Sequence, residues 1–188
     1  MVVLVEIMYH GFLTRLDLSV NLFMPVLRNA FLTLLSKGID ILFDTLPVLC
    51  VSLILAVYLW LRHVKKEALF FACIMLITAG AISVLKIVIQ RARPLNAIIP
   101  ATGFAFPSGH ATTAVVFFGL LTYLIIRLKI STCIKIVTII ISACMILLIA
   151  CTRIYLGVHW LTDVIGGLAL GTCILSAGIM LQERFNIC

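Results

Sequence analysis

The chain contains long apolar runs that no charged side chain interrupts. There are five such runs of 16 to 19 residues each: Thr45–Leu61, Ala68–Leu85, Ala111–Ile126, Ile136–Thr152 and Val164–Gln182. A helix that crosses a bilayer needs about 20 predominantly apolar residues, and each run reaches that length with its flanking residues. The alternation of apolar and polar positions typical of a membrane β-barrel does not occur in them. The pattern therefore predicts an all-α fold, a polytopic membrane helix bundle with five transmembrane helices.

The first 40 residues follow a weaker pattern. Met1–Thr14 is apolar but short, and it contains Glu6 and His10. Leu18–Leu35 is also apolar, but four residues interrupt it, namely Asn21, Pro25, Arg28 and Asn29. We interpret Leu18–Leu35 as a helix that lies in the membrane interface. A sixth, imperfect span in this part of the chain stays open as an alternative.

Length and the N-terminus add two expectations. A chain of 188 residues has the size of one domain. We predict a single membrane-embedded domain over residues 1–188, with an interfacial segment at 1–40 and a transmembrane bundle at 41–184. The opening residues carry no basic segment and no small-residue cleavage site, so a secretory signal peptide is not predicted.

Composition excludes most soluble classes. Hydrophobic residues make up 64% of the chain and charged residues 11%, whereas soluble domains are about half apolar and about a quarter charged. The net charge of +7 does not indicate nucleic acid, because the basic residues lie between apolar runs without interleaved aromatic residues. None of the seven cysteines forms a Cys-x-x-Cys pair, so we interpret them as small hydrophobic residues.

Basic residues are divided equally between the two predicted faces. If the spans alternate, the Arg62–Lys66 and Arg127–Lys135 loops share one face with Arg184. Seven Lys and Arg residues then lie on each face, provided that the N-terminal segment with Arg15, Arg28 and Lys37 stays on the second face. An excess of Lys and Arg marks the cytoplasmic side. With equal counts, the cytoplasmic face can be assigned only if some of the basic residues have another role. The clusters described next supply that role on the opposite face. We therefore expect the Arg62–Lys66 loop to be cytoplasmic.

The first of three polar clusters extends from Lys86 to Pro94, at the end of the second run. Lys86 and Arg93 are seven residues apart, about two helical turns, so they share one face of a helix that continues to Pro94. Taken alone, this cluster is equally typical of a basic helix end whose side chains reach the interface.

The second cluster, Pro107-Ser108-Gly109-His110, directly precedes the third run. Ser108 suits an N-cap position, and Gly109 allows a ligand to approach the backbone closely. The free N–H groups and positive dipole end of a helix N-terminus suit phosphate, and His110 would lie beside it. A single histidine at a helix start is usually structural, so a functional interpretation of this cluster requires the other two clusters.

The third cluster joins the fourth and fifth runs and contains Arg153, His159 and Asp163. His159 and Asp163 are four residues apart, so they lie on one face if the helix has already begun. A carboxylate there can hold the imidazole Nδ1–H, which leaves Nε2 as a free nucleophile. The alternative is a buried His–Asp pair whose members only satisfy each other.

Alternating spans bring all three clusters to one membrane face. Ionisable residues near spans are costly and therefore indicate function. Three cations and a helix N-terminus suit a bound phosphate, while two histidines and an aspartate supply a nucleophile, a proton donor and an orienting carboxylate. The candidate catalytic residues are His159, His110 and Asp163, and the candidate phosphate-binding residues are Lys86, Arg93, Ser108, Gly109 and Arg153.

The three clusters resemble the signature blocks of the type 2 phosphatidic acid phosphatase (PAP2) family. The blocks are Lys-x6-Arg-Pro, Pro-Ser-Gly-His and Arg-x5-His-x3-Asp, and they extend from Lys86 to Asp163 in that order. Two departures occur: Thr152 stands where the family usually has Ser, and five spans are clear where the family usually has six.

The resemblance implies a phosphatase that needs neither a metal nor another cofactor. It implies that His159 forms a phosphohistidine, that Asp163 orients it, and that His110 protonates the leaving oxygen and then helps to activate water. It also implies that the phosphate-binding candidates hold the phosphoryl oxygens and stabilise the transition state. The chain has no clustered carboxylates of the kind that hold Mg²⁺.

The sequence therefore predicts an integral membrane lipid phosphatase of the bacterial plasma membrane, with its site on the extracytoplasmic face. Its expected partners are the bilayer and a lipid phosphate, with no nucleic acid and no obligate protein partner. Undecaprenyl pyrophosphate is the first expected substrate, because the short Leu95–Phe106 segment leaves little to recognise an elaborate head group. Phosphatidylglycerol phosphate, phosphatidic acid, a lipid A phosphate, and phosphotransfer to another lipid stay open.

Two other functional classes of protein are alternatives to a lipid phosphatase. A lipid transporter or scramblase would use Lys86, His159 and Asp163 as a charge relay, but it predicts charges near the middle of the membrane. The charges here lie at the ends of the runs. A haloperoxidase uses a similar constellation of residues around vanadate, but those relatives are soluble.

Overall fold

The computed structural model describes residues 11–186, and the expectations for Glu6 and His10 lie outside this range. Within it the chain forms α-helices and no strand, which confirms the all-α prediction, and the connections are short except for residues 90–108. A 3₁₀ turn, Met24–Leu27, joins the first two helices. The helices are α1 (Phe12–Phe23), α2 (Ala30–Leu42), α3 (Thr45–Leu61), α4 (Lys65–Ile89), α5 (Gly109–Ile126), α6 (Thr132–Tyr155) and α7 (Leu161–Asn186).

Helices α4 to α7 are each long and apolar enough to cross a membrane. Helix α3 has 17 residues and meets α2 at a bend of 50°, and the two helices together also meet the length and hydropathy requirements for a span. The described residues therefore hold four or five spans. Each of the five predicted runs lies within one of the helices α3 to α7, so the predicted membrane bundle is confirmed.

Helix α5 lies at the centre of the bundle and contacts α3, α4, α6 and α7. Over the most apolar 18 residues of α5, 61% of the residues are buried, compared with 17% over the most apolar 18 residues of α6. Val116 of α5 is fully buried and packs with Phe71 and Met75 of α4. Helix α6 instead exposes aliphatic side chains such as Ile140 and Leu147. An outer surface of this kind suits lipid and not water.

Two glycines of α7 allow it to approach α5 closely. A Cβ atom at Gly167 would lie 2.7 Å from the carbonyl oxygen of Ser108, and one at Gly171 would lie 2.8 Å from that of Thr112. These contacts are shorter than a carbon and an oxygen tolerate, so any larger residue would push the helices apart. The close approach places the N-terminal turns of α5 and α7 side by side.

The N-terminal segment differs in detail from its prediction. Leu18–Leu35 was expected to form one helix, but the chain breaks between α1 and α2. Pro25 lies in the first turn of the 3₁₀ segment, where its missing N–H is tolerated, and the side chain of Asn29 caps α2 by accepting from Leu32 N at 2.9 Å. With 12 residues, α1 is about 18 Å long. It is too short to cross a hydrocarbon core of about 30 Å.

The end of the bundle remote from the candidate residues carries its own polar contacts. Tyr123 of α5 donates to Glu183 Oε1 of α7 at 2.6 Å, and Arg127 forms an ion pair with the same carboxylate. Arg127 and Glu183 have side chains that are 40% and 47% exposed. These residues join α5 to α7 at the face opposite the site described next.

Candidate active site

Six of the eight candidate residues line one cavity of about 490 Å³ at one end of the bundle. The C-terminal ends of α4 and α6 and the N-terminal ends of α5 and α7 meet there. Ser108 and Asp163 do not line the cavity, and both are fully buried. The six candidates that line it are Lys86, Arg93, Gly109, His110, Arg153 and His159.

His159 lies at the cavity wall with 2% of its side chain exposed. Its Nε2 atom is 3.3 Å from Nη1 of Arg93. Its Nδ1 atom is 3.6 Å from Oδ2 of Asp163 and has no hydrogen-bond partner among the described residues. Helix α7 begins at Leu161, so the condition for a shared helix face is not met: the loop presents the imidazole to a carboxylate in the first turn.

Burial sets the protonation of His159. It lowers the pKa of the imidazole from 6.5 to about 4, chiefly because a charged ring is poorly solvated there. The Asp163 carboxylate opposes this shift, and the positive charges of Arg93 and Arg153 add to it. The ring is therefore neutral near pH 7, with an unprotonated nitrogen available for attack.

The Asp163 carboxylate is held at both oxygens. Oδ2 accepts from the backbone N–H of Trp160 at 2.9 Å, and Oδ1 accepts from Nη1 of Arg91 at 2.5 Å. The backbone carbonyl of Asp163 accepts from the N–H of Ser108 at 3.0 Å. Asp163 thus links the start of α7 to the start of α5 and gives the side chain beside His159 a single position.

Arg93 reaches the cavity from a loop. The expectation that it shares a helix face with Lys86 is wrong, because α4 ends at Ile89 and Gln90 adopts a left-handed conformation with φ of 49°. The Arg93 guanidinium is fixed by three backbone carbonyls. It donates to Val158 at 2.8 Å through Nη1, to Thr102 at 3.0 Å through Nη2 and to Gly103 at 3.1 Å through Nε.

The Ser108–His110 segment begins α5 as expected, but the serine side chain does not cap it. Ser108 Oγ is buried and has no hydrogen-bond partner within residues 11–186, while its carbonyl accepts from the backbone N–H and the hydroxyl of Thr112 at 3.0 and 2.9 Å. Gly109 lines the cavity, and a Cβ there would lie 3.4 Å from Thr45 Oγ1. The open side of this helix start therefore faces the cavity at Gly109 and His110.

Sequence reasoning missed two acidic residues of this cavity. Asp40 of α2 forms an ion pair with Arg153, and its Oδ1 atom is 3.3 Å from Nε2 of His110. Asp44 caps α3 at Thr45 N with a distance of 2.7 Å, and its Oδ1 lies 3.7 Å from the same imidazole nitrogen. The sequence feature that could have identified them is a pair of carboxylates four residues apart in a largely apolar stretch.

Cations and anions are thus both present in the cavity. Lys86, Arg93 and Arg153 supply three positive charges, and Asp40 and Asp44 supply two negative ones. Within the described residues no three His, Cys, Asp or Glu side chains could hold a metal ion together. An arrangement of this kind can bind a phosphoryl group by hydrogen bonds and charge, next to a neutral imidazole.

Comparison with known proteins gives a family and a fold. The family model described as PAP2 superfamily matches residues 67–186. Phosphatidylglycerophosphatase B of Bacillus subtilis is 38% identical over 90 residues, which cover 47% of this chain and 44% of that protein. An undecaprenyl-diphosphatase of Sulfolobus acidocaldarius is 30% identical over 122 residues, which cover 61% of this chain and 54% of that protein. The matches span about half the length of these curated relatives.

Two solved structures share the fold. The crystal structure of a transmembrane PAP2 type phosphatidylglycerolphosphate phosphatase from Bacillus subtilis superimposes with a TM-score of 0.85 at 25% identity, over 91% of this chain and 86% of that one. Aquifex aeolicus LpxE superimposes with a TM-score of 0.67 at 22% identity, over 88% of this chain and 95% of that one. This chain therefore shares its helical arrangement with both structures.

Proposed function

The chain belongs to the PAP2 superfamily, and from this premise we propose that it is a lipid phosphate phosphatase that acts through a phosphohistidine at His159. One observation carries the proposal. The buried imidazole presents Nε2 at 3.3 Å from the Arg93 guanidinium, in a cavity that Lys86 and Arg153 also line. A neutral nucleophile next to cations is what attack on a phosphoryl group requires.

The first half of the reaction transfers the phosphoryl group to the protein. The Nε2 lone pair of His159 attacks phosphorus, and the P–N bond forms while the bond to the leaving oxygen breaks. Protonated His110 gives its proton to that oxygen. Arg93, Lys86 and Arg153 hold the other phosphoryl oxygens and stabilise their charge in the transition state.

The second half regenerates the nucleophile. A water molecule attacks the phosphohistidine and gives a proton to His110, now the base. The P–N bond breaks, its electron pair returns to Nε2 of His159, and inorganic phosphate leaves. Asp163 faces Nδ1 throughout and stabilises the positive charge that the ring carries while it is phosphorylated. No step in this scheme uses a metal ion.

The surroundings of the cavity support a lipid substrate. The cavity lies at the end of the spans, where a head group would enter it from the membrane surface, while the bundle exposes apolar side chains to the acyl chains. Once Lys86, Arg93 and Arg153 are discounted because they line the cavity, the remaining Lys and Arg residues are in excess on the opposite face, which supports the assignment of the cavity to the extracytoplasmic face of a plasma membrane. The chemical class of substrate is therefore a membrane lipid with a terminal phosphate or diphosphate.

Two head groups are the first to test. Phosphatidylglycerol phosphate is favoured by the Bacillus subtilis relative and by the Bacillus subtilis crystal structure, whose names specify that activity. Undecaprenyl pyrophosphate, the substrate first expected from the sequence, is favoured by the name of the Sulfolobus relative. Both present a terminal phosphoryl group, so the same residues serve either reaction.

The test measures phosphate release by protein purified in detergent with EDTA present. Phosphatidylglycerol phosphate, undecaprenyl pyrophosphate and phosphatidic acid are each supplied to the wild type, to His159→Asn and to His63→Asn. His63 is an exposed histidine in the loop between α3 and α4, so its variant is the matched control. Release is expected from the wild type and the control, and none from His159→Asn.

A second measurement tests the intermediate. Substrate labelled in its terminal phosphate and quenched within one turnover should leave label on the wild type and not on His159→Asn. The label should be stable to alkali and lost in acid, as a phosphoramidate is. Folded protein that releases phosphate from none of the three lipids would contradict the proposed reaction. Label retained in His159→Asn would assign the nucleophile to another residue.

A further inference from the structure

A second buried carboxylate lies behind the candidate active site. Asp17 of α1 is 1% exposed. Its Oδ1 atom accepts from the backbone N–H of Thr162 at 2.8 Å, and its Oδ2 atom accepts from the hydroxyl of Thr162 at 2.5 Å and from Nη2 of Arg91 at 2.6 Å. A buried carboxylate costs several kcal/mol unless it is paired. These three donors supply the pairing, and all of them lie beside Asp163.

Arg91 connects the two carboxylates. One amino group of its guanidinium donates to Asp17, and the other donates to Oδ1 of Asp163 at 2.5 Å and to Thr162 Oγ1 at 2.7 Å. The guanidinium carbon lies 5.6 Å from the centre of the Trp160 ring. A planar fork of donors suits this bridging geometry, which the single ammonium of a lysine does not reproduce.

The charge balance of this group bears directly on His159. If Arg91 paired with Asp163 alone, it would neutralise most of the charge that the imidazole faces. Because Arg91 is shared with Asp17, the three side chains carry one net negative charge. Oδ2 of Asp163 lies 3.6 Å from Nδ1 of His159, so this charge faces the ring that becomes positive when it is phosphorylated.

We infer that Asp17 is a positioning residue: through Arg91 it holds the Asp163 carboxylate against His159. This inference rests on the proposed phosphohistidine mechanism. It makes α1 a part of the active-site apparatus, although α1 contributes no residue to the cavity wall. It also accounts for a charged residue in the N-terminal segment, residues 1–40, which the sequence predicts only as interfacial.

The test compares Asp17→Asn with the wild type. Asparagine keeps the shape of the side chain but removes its charge and one of its two acceptor oxygens, so it can accept at only one of the two positions that Asp17 uses. We expect kcat to fall about 10- to 100-fold, by analogy with the loss of residues that orient the ligands of a metal. KM should stay within about twofold, because Lys86, Arg93 and Arg153 still bind the phosphoryl group.

The matched control is Asn21→Ala. Asn21 lies one turn further along α1, is 9% exposed, and donates to Asn96 Oδ1 at 2.9 Å. Its loss weakens the docking of α1 without changing any charge near Asp163. Activity per folded molecule should therefore stay within about twofold of the wild type. Equal losses of kcat in both variants would overturn the positioning role, because helix docking would then explain them.

A double-mutant cycle asks whether Asp17 acts through Asp163. If it does, Asp17→Asn in an Asp163→Asn background should lower kcat no more than about twofold further. Residual turnover of these variants is measured with labelled substrate. If the fold-loss of kcat in the double variant equals the product of the fold-losses in Asp17→Asn and Asp163→Asn, the two residues act independently and the inference is overturned.

A readout without catalysis separates this inference from the proposed function. The Nδ1 resonance of His159, assigned by its loss in His159→Asn, should shift in Asp17→Asn and stay unchanged in Asn21→Ala. A shift in a protein that hydrolyses no lipid phosphate would refute the proposed reaction while the coupling stands. An unchanged resonance in Asp17→Asn would overturn the coupling itself.

Discussion

Oδ1 of Asp40 lies 3.3 Å from Nε2 of His110, inside the cavity that the candidate phosphate-binding residues line. The same carboxylate forms an ion pair with Arg153. An anion supplied by α2 thus occupies part of the space beside the cations. Phosphate entering the cavity must share Arg153 with this carboxylate or displace it.

Replacing Asp40 by Asn should strengthen inhibition by inorganic phosphate. The variant removes one negative charge from beside Arg153, so the inhibition constant for phosphate should fall about fivefold, as expected for a partly solvated charge at this range. The measurement is the dependence of lipid hydrolysis on added phosphate.

Asp44→Asn is the control for this prediction. The Asp44 side chain is 58% exposed, so solvent screens its charge and the inhibition constant should change less than in the Asp40 variant. Weaker phosphate inhibition in Asp40→Asn would show instead that this carboxylate helps to arrange the phosphate site.

His159 should titrate with a midpoint near pH 4. Its pKa is lowered from 6.5 to about 4 because burial disfavours the charged ring. The imidazole carbon-bound proton resonances, assigned through His159→Asn, should therefore stay at their neutral-ring positions at pH 6 and move only as the pH approaches 4. A midpoint at or above 6.5 would contradict the burial argument.

The same shift predicts a stability effect of definite sign. Between pH 6.5 and about 4 the unfolded chain binds a proton at this histidine and the folded protein does not. The contribution of neutral His159 to stability is thus fully present above pH 6.5 and is lost as the pH falls through this window. His159→Asn should lose less stability than the wild type over this range, as measured by thermal unfolding in detergent.

Gly167→Ala should destabilise the contact between α5 and α7. The added Cβ would lie 2.7 Å from the carbonyl oxygen of Ser108, so the helices must separate, at a cost of about 1–3 kcal/mol. Activity should fall as well, because Ser108 precedes Gly109 at the cavity wall. Gly80→Ala is the matched control: a Cβ there meets nothing within 4 Å, and alanine favours a helix over glycine. Similar unfolding temperatures for the two variants would contradict the prediction.

Arg93→Lys should lower kcat/KM about 100-fold. Arg93 uses three nitrogens to hold the carbonyls of Thr102, Gly103 and Val158, and a single ammonium cannot replace that fork. A lysine that is not held by these carbonyls also leaves His159 without the cation that Arg93 places beside it. Arg127→Lys at the opposite end of the bundle is the control, and its activity should match the wild type. A loss below tenfold in Arg93→Lys would indicate that charge alone is sufficient.

The apolar runs specify the membrane helices, but the pattern does not specify where every helix ends or breaks. Each predicted run lies within one helix because burial in lipid forces the backbone to satisfy its own hydrogen bonds. The end of α4 was wrong by several residues, since a helix can stop at Gln90 well before the proline that cannot continue it. The break near Pro25 was missed for a similar reason: apolar composition does not distinguish one helix from two.

The candidate residues were found because rare polar side chains in apolar sequence are costly. His110, His159, Arg93 and Lys86 stood out in this way, and the structure brings them to one cavity. Asp17 and Asp40 are equally rare, but their partners lie at least 70 positions away along the chain. Spacing within one segment carries no information about such partners, so only the packing of α1 and α2 reveals them.

Sequence alone determined that this chain is a membrane helix bundle with its ionisable residues concentrated at one face, because hydropathy and the alternation of spans are properties of the order of residues. Tertiary structure decided which carboxylates those residues meet. The docking of α1 places Asp17 on Arg91, and the bend between α2 and α3 places Asp40 on His110 and Arg153. Electrostatic pairing falls steeply with distance, and distances between remote segments exist only once the helices have packed.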